Sequence, residues 1–276
     1  MQRRGGFTPD AALSAAPARS TPAAFAGGAV IGALGGLIGL GGAEFRLPLL
    51  IGAFRFAALQ AVILNKAMSL VVVASALPFR AAAVPFASVA AHWTVIANLL
   101  AGSLLGAWFG AGWATRLSST ALYRTIAAML FGIALVLVLG HDAAASGAML
   151  TGTAQTVAGI IAGFGIGIVA ALLGVAGGEL LIPTLVLLFG ADIKLAGSLS
   201  LAVSLPTMLV GFARYSRDRS FVVLRENSRF VLAMAVGSIA GSFVGGRLLG
   251  LVPNAMLLPL LAVILALSAF KVWQHE

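Results

Sequence analysis

The chain has no cysteine. Disulfides, thiolate nucleophiles and thiol-ligated metals are thereby excluded. Histidine is nearly as scarce: His92, His141 and His275 stand far apart, with no partner at ligand spacing, so no metal site is expected. Charge is the third shortage. Only 9% of residues are charged, against about 25% in a soluble domain, so the chain cannot clothe itself in a polar surface. Acidic residues are rarest, 8 against 17 Lys and Arg, for a formal charge of +9. A basic balance raises the question of nucleic acid. Here the basic residues sit at the ends of apolar runs, where they serve as topology signals facing anionic lipid. No nucleic-acid partner is expected. HExxH and GxSxG signatures are also missing, and the loops are too short for a catalytic domain. The chain does not read as an enzyme, and no cofactor is implied.

What remains is apolar. Hydrophobic residues make up 61% of the chain and the mean hydropathy is +1.07. Runs of 18 or more apolar residues recur, each long enough to cross a ~30 Å hydrocarbon core as a helix. They are unbroken and lack the two-residue alternation of a membrane barrel. The fold class is an all-α polytopic membrane protein embedded in a lipid bilayer.

The chain also contains one block twice. GALGGLIGLGGAEFRLP, from Gly32 to Pro48, meets GIVAALLGVAGGELLIP, from Gly167 to Pro183, at an offset of 135 positions. Gly39, Gly42, Glu44 and Pro48 fall on Gly174, Gly177, Glu179 and Pro183 without a gap. The same offset carries Gly102, Gly106 and Gly110 onto Gly237, Gly241 and Gly245. This is internal duplication. It divides the chain into a disordered cytoplasmic tail (1–24), a first transmembrane repeat (25–140), a linker (141–152) and a second repeat (153–276).

Each repeat holds one glycine-broken element and three clear spans. The spans are Leu59–Phe79, Trp93–Trp113 and Ala121–Leu139, then Leu195–Ala213, Phe230–Leu249 and Met256–Val272. If the broken element is a re-entrant hairpin, the two repeats are inverted. If it crosses as a kinked helix, they are parallel, with eight spans. The inverted arrangement gathers more Arg and Lys on the cytoplasmic side and is the one expected. Both arrangements put the two termini in the cytoplasm.

An ionisable side chain at membrane depth costs at least ~2.5 kcal/mol and is by default a functional hypothesis. Glu44, Arg46, Lys66 and Glu179 are such residues. Broken helices in repeated pairs point to a transporter's binding site. The half-helices after the breaks offer N–H groups and positive dipole ends to an anion. The expected binding set is therefore Gly41, Gly42, Gly177 and Gly178 at the breaks, Arg46 and Lys66 as cations, and Asn65, Ser69, Ser200 and Ser204 as neutral donors. Glu44 and Glu179 are the expected proton or ion carriers, and Pro48 and Pro183 the helix-break prolines. A plainer reading stands beside each: the glutamates cap helices, Arg46 pairs with Glu44 or snorkels, and Lys66 snorkels. The glycines at 102, 106, 110, 237, 241 and 245 read as packing faces.

The doubled glycine block ending in Pro, followed by LIPTLVLLFG and SLSLAVSLPTMLVGFARY, resembles the TauE/SafE family of sulfite exporters and 4-toluenesulfonate uptake permeases. The resemblance runs from about Ala24 to the end. It implies secondary transport across the bacterial cytoplasmic membrane of small sulfur-containing anions, such as sulfite, sulfonates or sulfoacetate. A proton would be the coupling ion, and the resemblance leaves a homodimer open. Where the family carries three glycines, the two copies here read Gly41-Gly42-Ala43 and Ala176-Gly177-Gly178, each followed by glutamate. Paired glutamates also suit a cation or metal-ion transporter, which is the alternative.

Overall fold

The computed structural model describes residues 20–38, 42–118, 150–249 and 251, with six scattered positions between 120 and 131. Gly41, most of Ala121–Leu139, Met256–Val272, and most of the tail and linker lie outside the described residues. So does the side chain of Glu44.

Eight main helices are described: α1 (Thr21–Ile38), α2 (Ala43–Gly52), α3 (Ala58–Phe79), α4 (Trp93–Ala114), α5 (Gly152–Leu173), α6 (Gly178–Phe189), α7 (Ile193–Tyr215) and α8 (Ser228–Leu248). Among the described residues, five stretches are long and apolar enough to cross a membrane: Ala58–Ala82, Trp93–Ala114, Gly152–Leu173, Ile193–Tyr215 and Ser228–Leu248. Helix starts in the second half echo those in the first. Ala43 and Gly178, Ala58 and Ile193, and Trp93 and Ser228 each open a helix, every pair 135 positions apart. Two boundaries differ from the sequence reading. α1 begins at Thr21, inside the segment read as tail, and the loop after α3 contains helical turns at Arg80–Ala82 and Phe86–Ala91.

Helix directions follow from which residues meet. Gly42, at the start of α2, lies against Ile31, and Gly27 lies against Leu49. α2 therefore runs back along α1 as a hairpin. The second half does the same: Gly177 sits against Ile166, and Gln155 Nε2 donates to the Leu188 carbonyl at 2.7 Å. The end of α3 reaches the start of α7, since Arg80 Nη2 donates to the Lys194 carbonyl at 3.0 Å. Lys66, nearer the start of α3, lies beside Gly211 near the end of α7. α3 and α7 are thus antiparallel.

The outer pairs run parallel. Gly28, Gly32 and Gly36 of α1 face the backbone at Met234, Ser238 and Ser242 of α8. Gly102, Gly106 and Gly110 of α4 face Ile160, Phe164 and Ile168 of α5. α8 also runs with α3, because Phe56 packs by Phe230 at one end and Phe79 by Phe243 at the other, with ring centroids 5.6 and 5.4 Å apart. Small residues at i, i+4 and i+8 let backbones approach where lipid offers no hydrophobic drive for association.

α3 and α7 form the centre. Their most apolar windows are 56% and 61% buried, against 39–44% for α4, α5 and α8. The outer helices turn large apolar side chains outward, including Leu105, Phe109, Ile161 and Leu232, each more than half exposed. That is the pattern of a bundle solvated by acyl chains.

Candidate functional site

Both short helices open on a glycine in the left-handed region, Gly42 at φ 65° and Gly177 at φ 82°. An L side chain rarely adopts that conformation. At Gly42 a Cβ would also lie 2.7 Å from both the carbonyl oxygen and Cγ2 of Ile31. The chain turns at these glycines because nothing larger permits the turn. The prolines do not make the break. Pro48 and Pro183, expected to interrupt their helices, lie inside α2 and α6, which continue to Gly52 and Phe189. A proline removes one N–H, and its own i−4 hydrogen bond is the only one lost for want of a donor.

Ending α5 inside the bundle takes regular i+4 donors from its last carbonyls, and at membrane depth each unmet carbonyl is expensive. The terminating turn returns Val175 N–H to Ala170 and Gly174 N–H to Ala171, at 3.0 and 3.1 Å, and side chains from α3 and α7 supply further donors. Lys66 Nζ donates to the Ala170 and Val175 carbonyls at 2.9 and 3.2 Å. Asn65 Nδ2 donates to Leu173 at 3.2 Å, and Tyr215 Oη to Ala171 at 2.8 Å. Ser204 Oγ donates to the Ala176 carbonyl, in the break itself, at 2.7 Å. A lysine is well placed there, since a helix C-terminus carries partial negative charge.

Asn65 also joins the other hairpin. Its Nδ2 donates to the Ala43 carbonyl at the start of α2, at 3.0 Å. Arg46, one turn into α2, points Nη1 at the Asn65 carbonyl and Oδ1, at 3.5 and 3.4 Å, and at Ser69 Oγ at 3.1 Å. Both breaks therefore meet on one turn of α3. Arg46, Asn65, Lys66, Ser69 and Glu179 are all 0% exposed, and Lys66 lies within electrostatic reach of Glu179. The snorkelling reading of Arg46 and Lys66 fails, because neither side chain reaches a surface.

Of the expected binding set, the structure gathers Gly42, Arg46, Asn65, Lys66, Ser69, Gly177, Gly178, Glu179 and Ser204 around the two breaks. Ser200 is buried, and its Oγ donates to the Gly197 carbonyl of its own helix at 2.9 Å. Glu44 opens α2 at the position equivalent to Glu179 in α6.

The family model of the sulfite exporter TauE/SafE matches residues 24–272, nearly the whole chain. The chain belongs to the TauE/SafE family. No curated protein and no solved structure matches it significantly. The TauE/SafE protein is accordingly a multi-pass membrane transporter for a small molecule, and the buried polar cluster at its helix breaks is the candidate site.

One member of the TauE/SafE core escaped the sequence reading. Arg80, placed there in a loop, is 1% exposed. Its Nη1 donates to the Gly36 and Leu37 carbonyls, both at 3.0 Å, its Nη2 to Lys194, and its Nε to Ser198 Oγ at 3.2 Å. It closes the end of α1 and ties it to the start of α7. Tyr215, 135 positions later, closes the end of α5 with a single hydroxyl. Substitution should expose the difference. Arg80→Met removes four donated hydrogen bonds, two of them to the last carbonyls of α1, and is expected to cost about 3 kcal/mol or more, whereas Tyr215→Phe costs about 1 kcal/mol. Thermal unfolding of both variants in detergent measures this, and equal losses would refute the clamp.

Proposed function

We propose that this protein is a secondary permease for a small sulfur-containing anion of the sulfite, sulfonate or sulfoacetate type. It moves the anion by alternating access of its two repeats around the Arg46–Lys66 cluster, coupled to protons through Glu179 and Glu44. The observation that carries this reading is the bridging of both helix breaks by Asn65, with two buried cations beside it. Two short helices begin there, and their N-terminal N–H groups add positive potential without adding a titratable charge. Arg46 suits a planar or tetrahedral oxyanion through its fork of donors, and Lys66 serves as a point charge. The nearby carboxylate of Glu179 gives the site a group that must gain or lose a proton as anion charge enters and leaves.

We also infer that the repeats are inverted. Antiparallel α3 and α7 support this, as do hairpins that return to the side they entered from. Parallel repeats would run α3 and α7 in the same direction. The positive charges of Arg214, Arg217, Arg219, Arg225 and Arg229 support a cytoplasmic loop after α7 in a bacterial inner membrane, with both termini on the same side.

Reconstitution into proteoliposomes tests the function. Under an imposed pH gradient, wild-type protein is expected to give saturable flux of labelled sulfite or a small sulfonate. Arg46→Gln should lose at least ~90% of that flux, as expected when a charged partner contributing ~1.5 kcal/mol or more is removed. Glu179→Gln should retain anion exchange while losing its dependence on the gradient. Absence of anion flux with glutamate-dependent cation uptake would overturn the proposal.

A further inference from the structure

At the C-terminal end of α4 a cavity of about 440 Å³ opens on the outer flank. Trp108 and Trp113 of α4, Arg116 just past its end, and Arg214 of α7 line it. Arg214 lies over the Trp108 ring at 5.1 Å, and Arg217 over the same ring at 5.3 Å. Gly112 makes the room, since a Cβ there would come within 3.3 Å of Arg214 Nε and Nη2. Among the described residues none of these three arginines forms an ion pair. Asp218, the nearest acid in sequence, accepts from the Ser220 N–H.

We propose that this cavity is a binding site for the phosphate of an anionic phospholipid, with the lipid's acyl chains lying along α4. Guanidinium groups pair with phosphate through two parallel N–H donors, and tryptophans concentrate at headgroup level. The stripe leading away from the cavity is apolar. Leu105, Phe109 and Trp113 recur every fourth residue and are 58%, 63% and 52% exposed. A soluble anion has no use for such a stripe, whereas a phospholipid fills both parts at once.

The duplication supplies an internal comparison. At the equivalent end of α8 a cavity of about 530 Å³ is lined by Phe79, Phe243 and Arg247. It has similar size and the same ring-and-arginine contact, with Arg247 over Phe243 at 4.5 Å, but one arginine in its lining where the first has two, with Arg217 beside them over Trp108. α4 runs with α7, since Ser103 meets Thr207 at 2.8 Å and Gly112 meets Arg214; because α8 runs with α3, and α3 and α7 are antiparallel, the two cavities lie at opposite ends of the bundle. The lipid site therefore belongs to one leaflet, the one that faces the arginine-rich loop. This holds whatever anion the transporter carries.

Native mass spectrometry of the full-length protein, titrated with phosphatidylglycerol or phosphatidylcholine, tests the site. Phosphatidylglycerol is expected to bind more tightly than phosphatidylcholine. Arg214→Gln and Arg217→Gln should each weaken it about fivefold and together about thirtyfold, the scale of one arginine at an anionic surface. Arg214→Lys should keep most of the preference, and Arg247→Gln should leave it unchanged, which separates loss of the site from loss of the fold. Three outcomes would overturn the proposal: equal binding of the two lipids, an unchanged preference in the double variant, or displacement of bound phosphatidylglycerol by free sulfate or inorganic phosphate at comparable concentration.

Discussion

Replacing Lys66 with methionine is expected to cost about 3–5 kcal/mol of stability and to abolish transport. The side chain fits the volume but carries no donor. Carbonyls of Ala170 and Val175 lose the ammonium that holds them, and Glu179 loses the positive charge within its reach. Removing one member of a buried charged pair is costly because the other charge stays behind. The argument therefore makes a second statement. In Lys66→Met combined with Glu179→Gln, both charges of this pair are removed together, so much of the lost stability should return while transport stays absent. Thermal unfolding in detergent and flux in proteoliposomes read the two properties separately. A double variant as unstable as the sum of the single ones would show that Lys66 works through its carbonyl bonds alone.

How far such a site can be read from the sequence depends on what leaves a mark there. The breaks do, because glycine is the residue that tolerates φ 65° and φ 82°, and both copies keep it at Gly42 and Gly177. Intramembrane charge does too, since Arg46, Lys66 and Glu179 stand out against apolar neighbours. Their partners leave no mark. Among the described residues Lys66 donates to backbone carbonyls, which every residue has, and its equivalent in the second copy is Leu201. Arg46 likewise has Leu181 as its equivalent, so the offset that exposed the glutamates is silent about the cations.

Arg80 was misplaced for a related reason. A charge at the edge of an apolar run reads as the start of a loop, and only tertiary structure reveals that this arginine turns inward to meet the end of α1. Helix direction was undecidable from the sequence as well. A hydropathy profile has no sign, and the return of α2 along α1 is registered only where Gly42 meets Ile31 and Gly27 meets Leu49. The break prolines were misread because proline signals a missing donor, and inside α2 and α6 the helix absorbs that loss.

The glycine faces give the other large effect. Gly106→Val and its equivalent Gly241→Val are each expected to abolish recovery of monodisperse protein from detergent extracts. A Cβ at Gly106 would overlap the Phe164 carbonyl oxygen, and one at Gly241 the Ala29 carbonyl oxygen. Both obstacles are backbone, so no rotamer change relieves them. Even Gly106→Ala should cost about 1–3 kcal/mol, the usual range for forcing an extra carbon into a packed interior, and valine adds two more carbons at the same place. Gly165 is the control. It lies on the same α5 helix, with nothing within 4 Å of a Cβ built there. Gly165→Ala should therefore be neutral or stabilising by up to ~1 kcal/mol through helix propensity. Fluorescence-detected size exclusion with a temperature ramp ranks the three. The reasoning fails if Gly106→Ala behaves like Gly165→Ala, for then the α4–α5 approach is not held at backbone contact. The consequence reaches the site, because α5 carries the break that Lys66 and Asn65 close. A helix pushed off α4 takes the Ala170, Leu173 and Val175 carbonyls away from their donors on α3. Close packing on the lipid-facing rim and charge in the centre are thus one arrangement, and a methyl group at Gly106 should be felt at Lys66.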